Sequence, residues 1–560
     1  MLLGIDVGGT HTDAVIIDRG GIAATAKVET DHSNLITSLD MVLEKILSSG
    51  PDQPISKINL STTLTTNAIV GKELEEVGVL AVSGPGLATD CFNHNLGEHF
   101  HLLEGSIDHR GNLRLALNDV AAREVVAGCQ RKQLKVFAVV SKFSPRNPEI
   151  EQTLAELVST QSDFTTIGHR ISGRLNFPRR LATAYYNTAV WRRYNAFADA
   201  VSLSIKKYKL NAPLNILKAD GGTINFKNSR NNPIQTILSG PAASVMGIIA
   251  LSSITEDAII LDIGGTTTDI AIFANGAPLL EKEGVSFGGR ATSVRAIGTH
   301  SIGIGGDSAI TINSDGKIMI GPQRMGPPMA LSGPQPTLID ACNVKRLCNL
   351  GNFAKSFSGL KELAEQNQLT TEQLADEALD TALKTIQFEA LKLLDTINQR
   401  PVYTVEEIVH GKQIIPQQLY VMGGPAVILA PLLGQSFDLA TEVPDNYAVA
   451  NAIGAALTRT TMEIELFADT GKKTLLIPNL GIKRKINSSY SLNKAQDDGV
   501  SEIVKYLKEN NHPEIKNEDV SVVEAESFNM VDDYSVGSKT IRVSCQIRPG
   551  LEKDYLEGIK

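Results

Sequence analysis

Apolar and polar positions change period often along this chain, and the changes mark out its elements. Residues 1–30 read as strand, turn and strand, with a further strand around 22–29. At 35–47, the apolar positions Leu35, Leu39, Val42, Leu43, Ile46 and Leu47 recur at helical spacing and predict one amphipathic helix. The stretch 58–68 reads as a strand running into a threonine-rich turn, and 77–82 as a buried strand stopped by Ser83-Gly-Pro-Gly. Strands and helices alternate between about 90 and 175, with 136–140 a clear strand, and 179–208 predicts one long helix. A strand at 214–219 opens into Asp220-Gly-Gly-Thr, and a helix begins near 239 with Pro241 in its first turn.

A hairpin over 259–273 follows, and a glycine-rich passage at 298–306 leads into a second hairpin at 309–320 with Asn313-Ser-Asp-Gly as its turn. Residues 321–337, rich in proline and glycine, are expected to be irregular and to lie over a cleft. The stretch 360–397 is helical, with Thr370 or Thr371 as its N-cap. A strand at 419–422 stops at Gly423-Gly-Pro-Ala, and 447–459 is a helix rich in alanine and glycine. From about 470 the composition shifts towards Lys, Asn and Glu. Strands at 473–477, 520–524 and 540–547 and a helix at 500–510 then predict a small α+β domain.

At 560 residues the chain is too long for one core. Its pattern divides into a first lobe at 1–175 with an inserted subdomain, a second lobe at 176–468, and a C-terminal domain at 469–560. A net charge of −9, with no Lys/Arg block, argues against a nucleic-acid partner. The five cysteines (Cys91, Cys129, Cys342, Cys348 and Cys545) are scattered and predict a reducing compartment rather than a disulfide framework or zinc site. The start lacks a basic segment of the signal-peptide kind, and no run approaches the roughly 20 apolar residues of a membrane span. These features predict a soluble, cytoplasmic protein.

One pattern changes this picture from generic to chemical. Asp-x-Gly-Gly-Thr-x-Thr-Asp occurs twice, at 6–13 and 262–269, each time at the tip of a predicted hairpin. A Gly-Gly turn lets backbone N–H groups approach an anion without Cβ obstruction, and threonines add hydroxyl donors. A carboxylate beside a phosphate usually signals Mg²⁺, so Asp6 and Asp262 are the expected metal-holding pair. Asp13 and Asp269 would orient water or tie the loops down. The wording is neither GxxxxGK[ST] nor GxGxxG, which disfavours dinucleotide binding.

Two such hairpins and a later Gly423-Gly424 turn resemble the superfamily of acetate kinases, sugar kinases, heat-shock ATPases and actin. Within it the chain resembles the ATP-using A-type chain of the hydantoinase/oxoprolinase family. The matching passages are those at 4–13, 61–68, 239–244, 261–270, 300–308 and 422–425. The resemblance implies a two-lobed actin-like, ribonuclease-H-like α/β ATPase fold that uses ATP and Mg²⁺. It implies that Asp6, Gly8, Gly9, Thr10 and Thr12 face the phosphates from the first lobe. Asp262, Gly264, Gly265, Thr266 and Thr267 would face them from the second, with Gly423 and Gly424 bordering the adenosine. Family members use ATP to activate a cyclic amide or ketone carbonyl by phosphorylation, often with a B-type partner chain. The implied activity is thus that of an ATP-dependent cyclic amidohydrolase. A small-molecule kinase, or a nucleotide-dependent binding protein, are the alternatives, and a homo-oligomer is left open.

Thr65, Thr66 and Asn67 are expected either to contact substrate or to form a polar strand end. His300 is assigned to polarising a carbonyl or sitting near the metal, with a structural role as its alternative. Asp307 stands where the family commonly has glycine, either as a further ligand or as a disturbance of the loop. The family's Cys-Tyr passage after the glycine-rich segment is missing here, which leaves the substrate open.

Overall fold

The computed structural model describes residues 1–31, 34–51, 53–87, 96–399, 413–532 and 535–559; Cys91 lies outside them. Strand Leu2–Val7 is buried along its whole length, as a central strand covered on both faces must be. It turns through Gly8 and Gly9 into His11–Asp18, in a register that sets Asp6 opposite Asp13. Gly21–Glu29 adds an antiparallel strand on one side, and Lys57–Thr62 a parallel strand on the other. Leu214–Leu217 and Thr223–Asn225 complete this six-stranded sheet. The sheet therefore takes strands from beyond residue 175. Helix Phe177–Lys207 lies on the long crossover from Lys57–Thr62 to Leu214–Leu217, a connection that parallel strands require.

A second sheet repeats the plan. Ala258–Ile263 and Thr268–Ala274 form a hairpin with Asp262 opposite Asp269. Gln418–Met422 runs parallel to the first of these strands, and Thr299–Ile302 lies antiparallel to the second. Between the sheets run two helices, Ser239–Leu251 and Ala450–Leu457, which share one apolar cluster with residues of both hairpins. The two helices meet backbone to backbone. A Cβ on Gly247 would stand 2.2 Å from the Ala450 carbonyl oxygen, and one on Gly454 2.1 Å from that of Ala243. Only glycine permits so close an approach.

A four-stranded parallel sheet of Phe164–Ile167, Val136–Ser141, Gly78–Val82 and Phe100–Leu102 forms the inserted part of the first half. The C-terminal part is a five-stranded antiparallel sheet in the order Ile482–Lys485, Thr474–Ile477, Met462–Asp469, Ser535–Ile547, Val520–Asp532. Helix Leu492–Glu509 packs on it. Met462–Asp469 pairs with Ser535–Ile547 along its whole length, so this sheet begins ahead of residue 469.

Two elements differ from the sequence pattern. The strand entering 58–68 ends at Thr62, and Leu64–Val70 is a helix rather than a turn. The helical stretch at 360–397 is two helices, Phe353–Glu365 and Thr371–Asn398, the second capped by Thr370 in a capping box with Gln373. Among the described residues, no helix is long and apolar enough to cross a membrane.

Candidate functional site

A cavity of about 550 Å³ opens between the two hairpin tips. Gly8, Gly9 and Thr10 line it from one side and Gly264, Gly265, Thr266 and Thr267 from the other, with Gly423 and Gly424 at its border. The turns are built alike: the Gly8 N–H donates to the His11 carbonyl at 3.1 Å, and the Gly264 N–H to that of Thr267 at 2.8 Å. The tips nearly touch, since a Cβ on Gly265 would stand 2.9 Å from Thr10 Oγ1. At Gly9 and Gly424 the equivalent position has nothing within 4 Å, so bare backbone faces the cavity there. Gly423 has φ of +88° and carries the chain past Asp262, where a Cβ would lie 2.6 Å from the carboxylate.

The four motif aspartates form the floor. The Ser61 hydroxyl donates to Asp6, and the Ser244 hydroxyl to Asp262. Asn451 lies between them: its Nδ2 is 3.4 Å from Asp262, and it also hydrogen-bonds Asp6. Burial pushes both carboxyls above their ordinary range, and the Asp262 charge pushes Asp6 further. Asp13 is raised to about 6, chiefly by burial, against the opposing pull of Lys27, whose ammonium stands 3.0 Å away. Asp269 is raised to about 7 by burial and then by Asp262, with only the Ser301 hydroxyl opposing. One oxygen of Asp13 and one of Asp269 are buried without a hydrogen bond.

Buried carboxylates lacking a partner are costly, and a hard cation is their natural complement. Among the described residues, no three His, Cys, Asp or Glu side chains are grouped to hold an ion by themselves. A cation at this floor would need oxygens from its ligand and from water, the usual habit of Mg²⁺.

The other expected residues divide. Thr12 is fully buried and bonds Thr30 at 3.0 Å, whose hydroxyl in turn donates to the Gly8 carbonyl. It braces the turn from behind instead of facing the cavity. Asp307 does line the cavity; its N–H donates to the Gly265 carbonyl at 2.7 Å, and Arg324 holds its carboxylate at 3.1 Å. The loop is therefore not disturbed at Asp307. His300 is not brought to the cavity: it is 43% exposed and pairs with Glu389 on the Thr371–Asn398 helix at 3.3 Å. Thr65 and Thr66 do not line it either. Thr65 bonds Thr236 at 2.8 Å, and Thr66 accepts from the Leu238 N–H at 2.9 Å. That bond holds Leu238 in its left-handed conformation just before the Ser239–Leu251 helix. Asn67 bonds back to Thr63.

Lys27, Arg324 and Asn451 line the cavity and are absent from the set expected from sequence. Asn451 carried a signal, as the one polar side chain in the run Ala-Asn-Ala-Ile-Gly-Ala-Ala-Leu. Lys27 carried a weaker one: it is opposite Asp13 once the Gly21–Glu29 strand is paired.

Two like-built lobes joined by close-packed helices, with paired Gly-Thr turns across a cavity, define the two-lobed actin-like α/β fold. The chain belongs to the hydantoinase/oxoprolinase family, whose N-terminal region matches residues 2–161 and whose main region matches 180–464. It is 22% identical over 527 residues to an uncharacterised protein of Methanocaldococcus jannaschii, covering 81% of this chain and 72% of that one. It is 23% identical over 372 residues to the caprolactamase subunit alpha of Pseudomonas jessenii, covering 60% of this chain and 53% of the relative. This match thus spans about half of that subunit. Among solved structures, nucleotide-free acetone carboxylase aligns with a TM-score of 0.70 at 16% identity, over 98% of this chain and 87% of that one. The ATP-dependent caprolactamase of Pseudomonas jessenii aligns with a TM-score of 0.67 at 16% identity, over 97% and 87%.

Proposed function

We propose that this chain is an ATP- and Mg²⁺-dependent enzyme that phosphorylates a cyclic amide or related carbonyl and so opens it to hydrolysis. The observation that carries the reading is the matched pair of Asp-x-Gly-Gly-Thr turns facing each other across one cavity. Bare N–H groups and threonine hydroxyls on both sides suit a polyphosphate gripped from two directions. Asp6 and Asp262, steadied by Ser61, Ser244 and Asn451, would hold Mg²⁺ through its waters. Bound there, Mg²⁺ would neutralise phosphate charge, the main demand of phosphoryl transfer.

Gly423 and Gly424 border the adenosine, and Asp307 fixes Arg324 at the rim. Asp13 and Asp269, raised to about 6 and about 7, are the floor groups able to take or give a proton near neutrality. His300 has no part in this scheme. The relative named as a subunit alpha supports a partner chain that completes the reaction. Division into two lobes around the cleft and a C-terminal domain belongs to the same proposal.

The test is ATP turnover screened over lactams and hydantoins, with and without a candidate B-type partner. Substrate-stimulated phosphate release supports the reading. A stable phosphorylated product would make the chain a kinase, and ATP binding without stimulation by any ring would remove the amidohydrolase assignment.

A further inference from the structure

The five-stranded C-terminal sheet uses one face to pack helix Leu492–Glu509. Cross-strand register sets Lys483, Leu476 and Phe467 in one row. Asp469, Thr540 and Phe528 lie in the row two residues along. Side chains two apart on a strand share a face, so all six belong to the face turned away from that helix. A cavity of about 510 Å³ lies between this face and the first-half segments at 109–111 and 146–149. Its rim is stitched across the seam: Lys472 donates to the Arg110 carbonyl and Arg146 to that of His109.

The chemistry of this hollow is lopsided. Arg146, Lys472 and Lys483 line it, and among the described residues none of the three has a carboxylate within ion-pairing distance. Burial, then the neighbouring Arg542, lowers the Arg146 pKa against the pull of Asp469 and Asp108; burial lowers that of Lys472 against the same two carboxylates, with Arg110 and Arg146 adding less. The lining carboxylates are Glu149 and Asp469, and Asp469 already accepts the Lys472 backbone N–H at 2.9 Å. The Arg146 guanidinium stands 5.8 Å over the Phe467 ring, and Phe528, two strands away on the same face, is 59% exposed. Within a chain of net charge −9, this is a local positive hollow floored by aromatic rings.

We propose that the hollow is a second ligand site, for a phosphate-bearing molecule with a flat ring and the size of a nucleotide. An apolar ligand would leave the excess positive charge of the hollow without a counter-ion, and a bare inorganic anion would leave the exposed Phe528 ring wet. A ligand with both parts satisfies both, with its phosphate between Arg146 and Lys472 and its ring against Phe528. The site is separate from the hairpin cleft and shares no lining residue with it. Occupancy would clamp the C-terminal sheet to the first half.

The experiment is calorimetric titration of the full chain with AMP in chelator, for the unaltered protein, Arg146→Glu/Lys483→Glu, Lys483→Glu alone and Asp262→Asn. The expected result is a binding event at least tenfold weaker in the double variant, weaker in Lys483→Glu, and kept in Asp262→Asn, which alters only the cleft. Lys483 is exposed on its strand, so its single variant reads binding even if the double variant misfolds. Titrations of the unaltered protein and Lys483→Glu that superimpose, whether both bind or neither does, overturn the proposal. Loss of the event in Asp262→Asn alone assigns it to the cleft and overturns it as well.

Discussion

The two hairpins share a turn, a register and a serine on the inner aspartate, yet their outer aspartates live in different electrostatic settings. In the first, Lys27 stands across the strand from Asp13 and holds it at about 6. In the second, the residues paired with Thr268–Ala274 supply Asp269 with no cation, only the Ser301 hydroxyl, and it rises to about 7. Backbone geometry has been kept between the halves while charge has diverged. On the proposed function a polyphosphate would call on the same shape twice, while of the two outer carboxyls the one raised further stands in the second half.

The comparison can be broken most decisively at the inner aspartates. Asp6→Asn and Asp262→Asn are each expected to lower ATP turnover by about a hundredfold or more, with the fold intact by circular dichroism. Unchanged turnover in both would remove the phosphate-loop assignment. Next in size, Gly454→Ala is expected to cost about 2–4 kcal/mol in denaturant unfolding, because its Cβ would meet the Ala243 carbonyl at 2.1 Å. Gly9→Ala, with open space at the same position, should leave stability within about 0.5 kcal/mol.

The asymmetry itself is tested by pH. Asp13 and Asp269 have folded-state values above the ordinary 3.8, so their protonated forms favour folding. That contribution is complete below about pH 4 and is lost as pH rises through about 6 for Asp13 and about 7 for Asp269. In chelator, the melting temperature of the chain should therefore fall between about pH 4 and 7. Asp269→Asn should flatten the upper part of the fall, and Asp13→Asn the lower part. Lys27→Met should erase the contrast by making the first half like the second. Its cost is about 1 kcal/mol at pH 8, where Asp13 is charged, and close to zero at pH 5. Smallest of all, His300→Ala should leave turnover within about twofold and stability within about 0.5 kcal/mol, since its ion pair is exposed.

The hairpins were legible because their information is local: an apolar strand, a Gly-Gly turn and a second apolar strand are contiguous in sequence. The long helix was legible for the same reason, its buried positions recurring from Leu181 to Phe197. Asn451, Lys27 and Arg324 were legible only faintly or not at all: Asn451 reaches the floor from a helix distant in sequence, and Lys27 and Arg324 reach their aspartates only once neighbouring segments pair or fold back. Only pairing and packing bring them there. The 61–68 stretch misled through its threonines, which favour strands in isolation. Here Thr65 and Thr66 are spent holding Thr236 and Leu238, and the backbone is free to coil into a helix. His300 stayed open between a catalytic and a structural role in sequence, because sequence does not reveal that Glu389 lies next to it.

The backbone contact between the Ser239–Leu251 and Ala450–Leu457 helices works as an axle. The strand Leu2–Val7 rides on it too, since a Cβ on Gly4 would stand 2.1 Å from the Ala452 carbonyl. No rotamer stands between these three segments to absorb a displacement. Ser244 and Asn451 are mounted on the axle itself, and each grips an aspartate of the cleft floor. A shift of one helix against the other would therefore reach the cleft floor directly, Asp262 through Ser244 and both inner aspartates through Asn451.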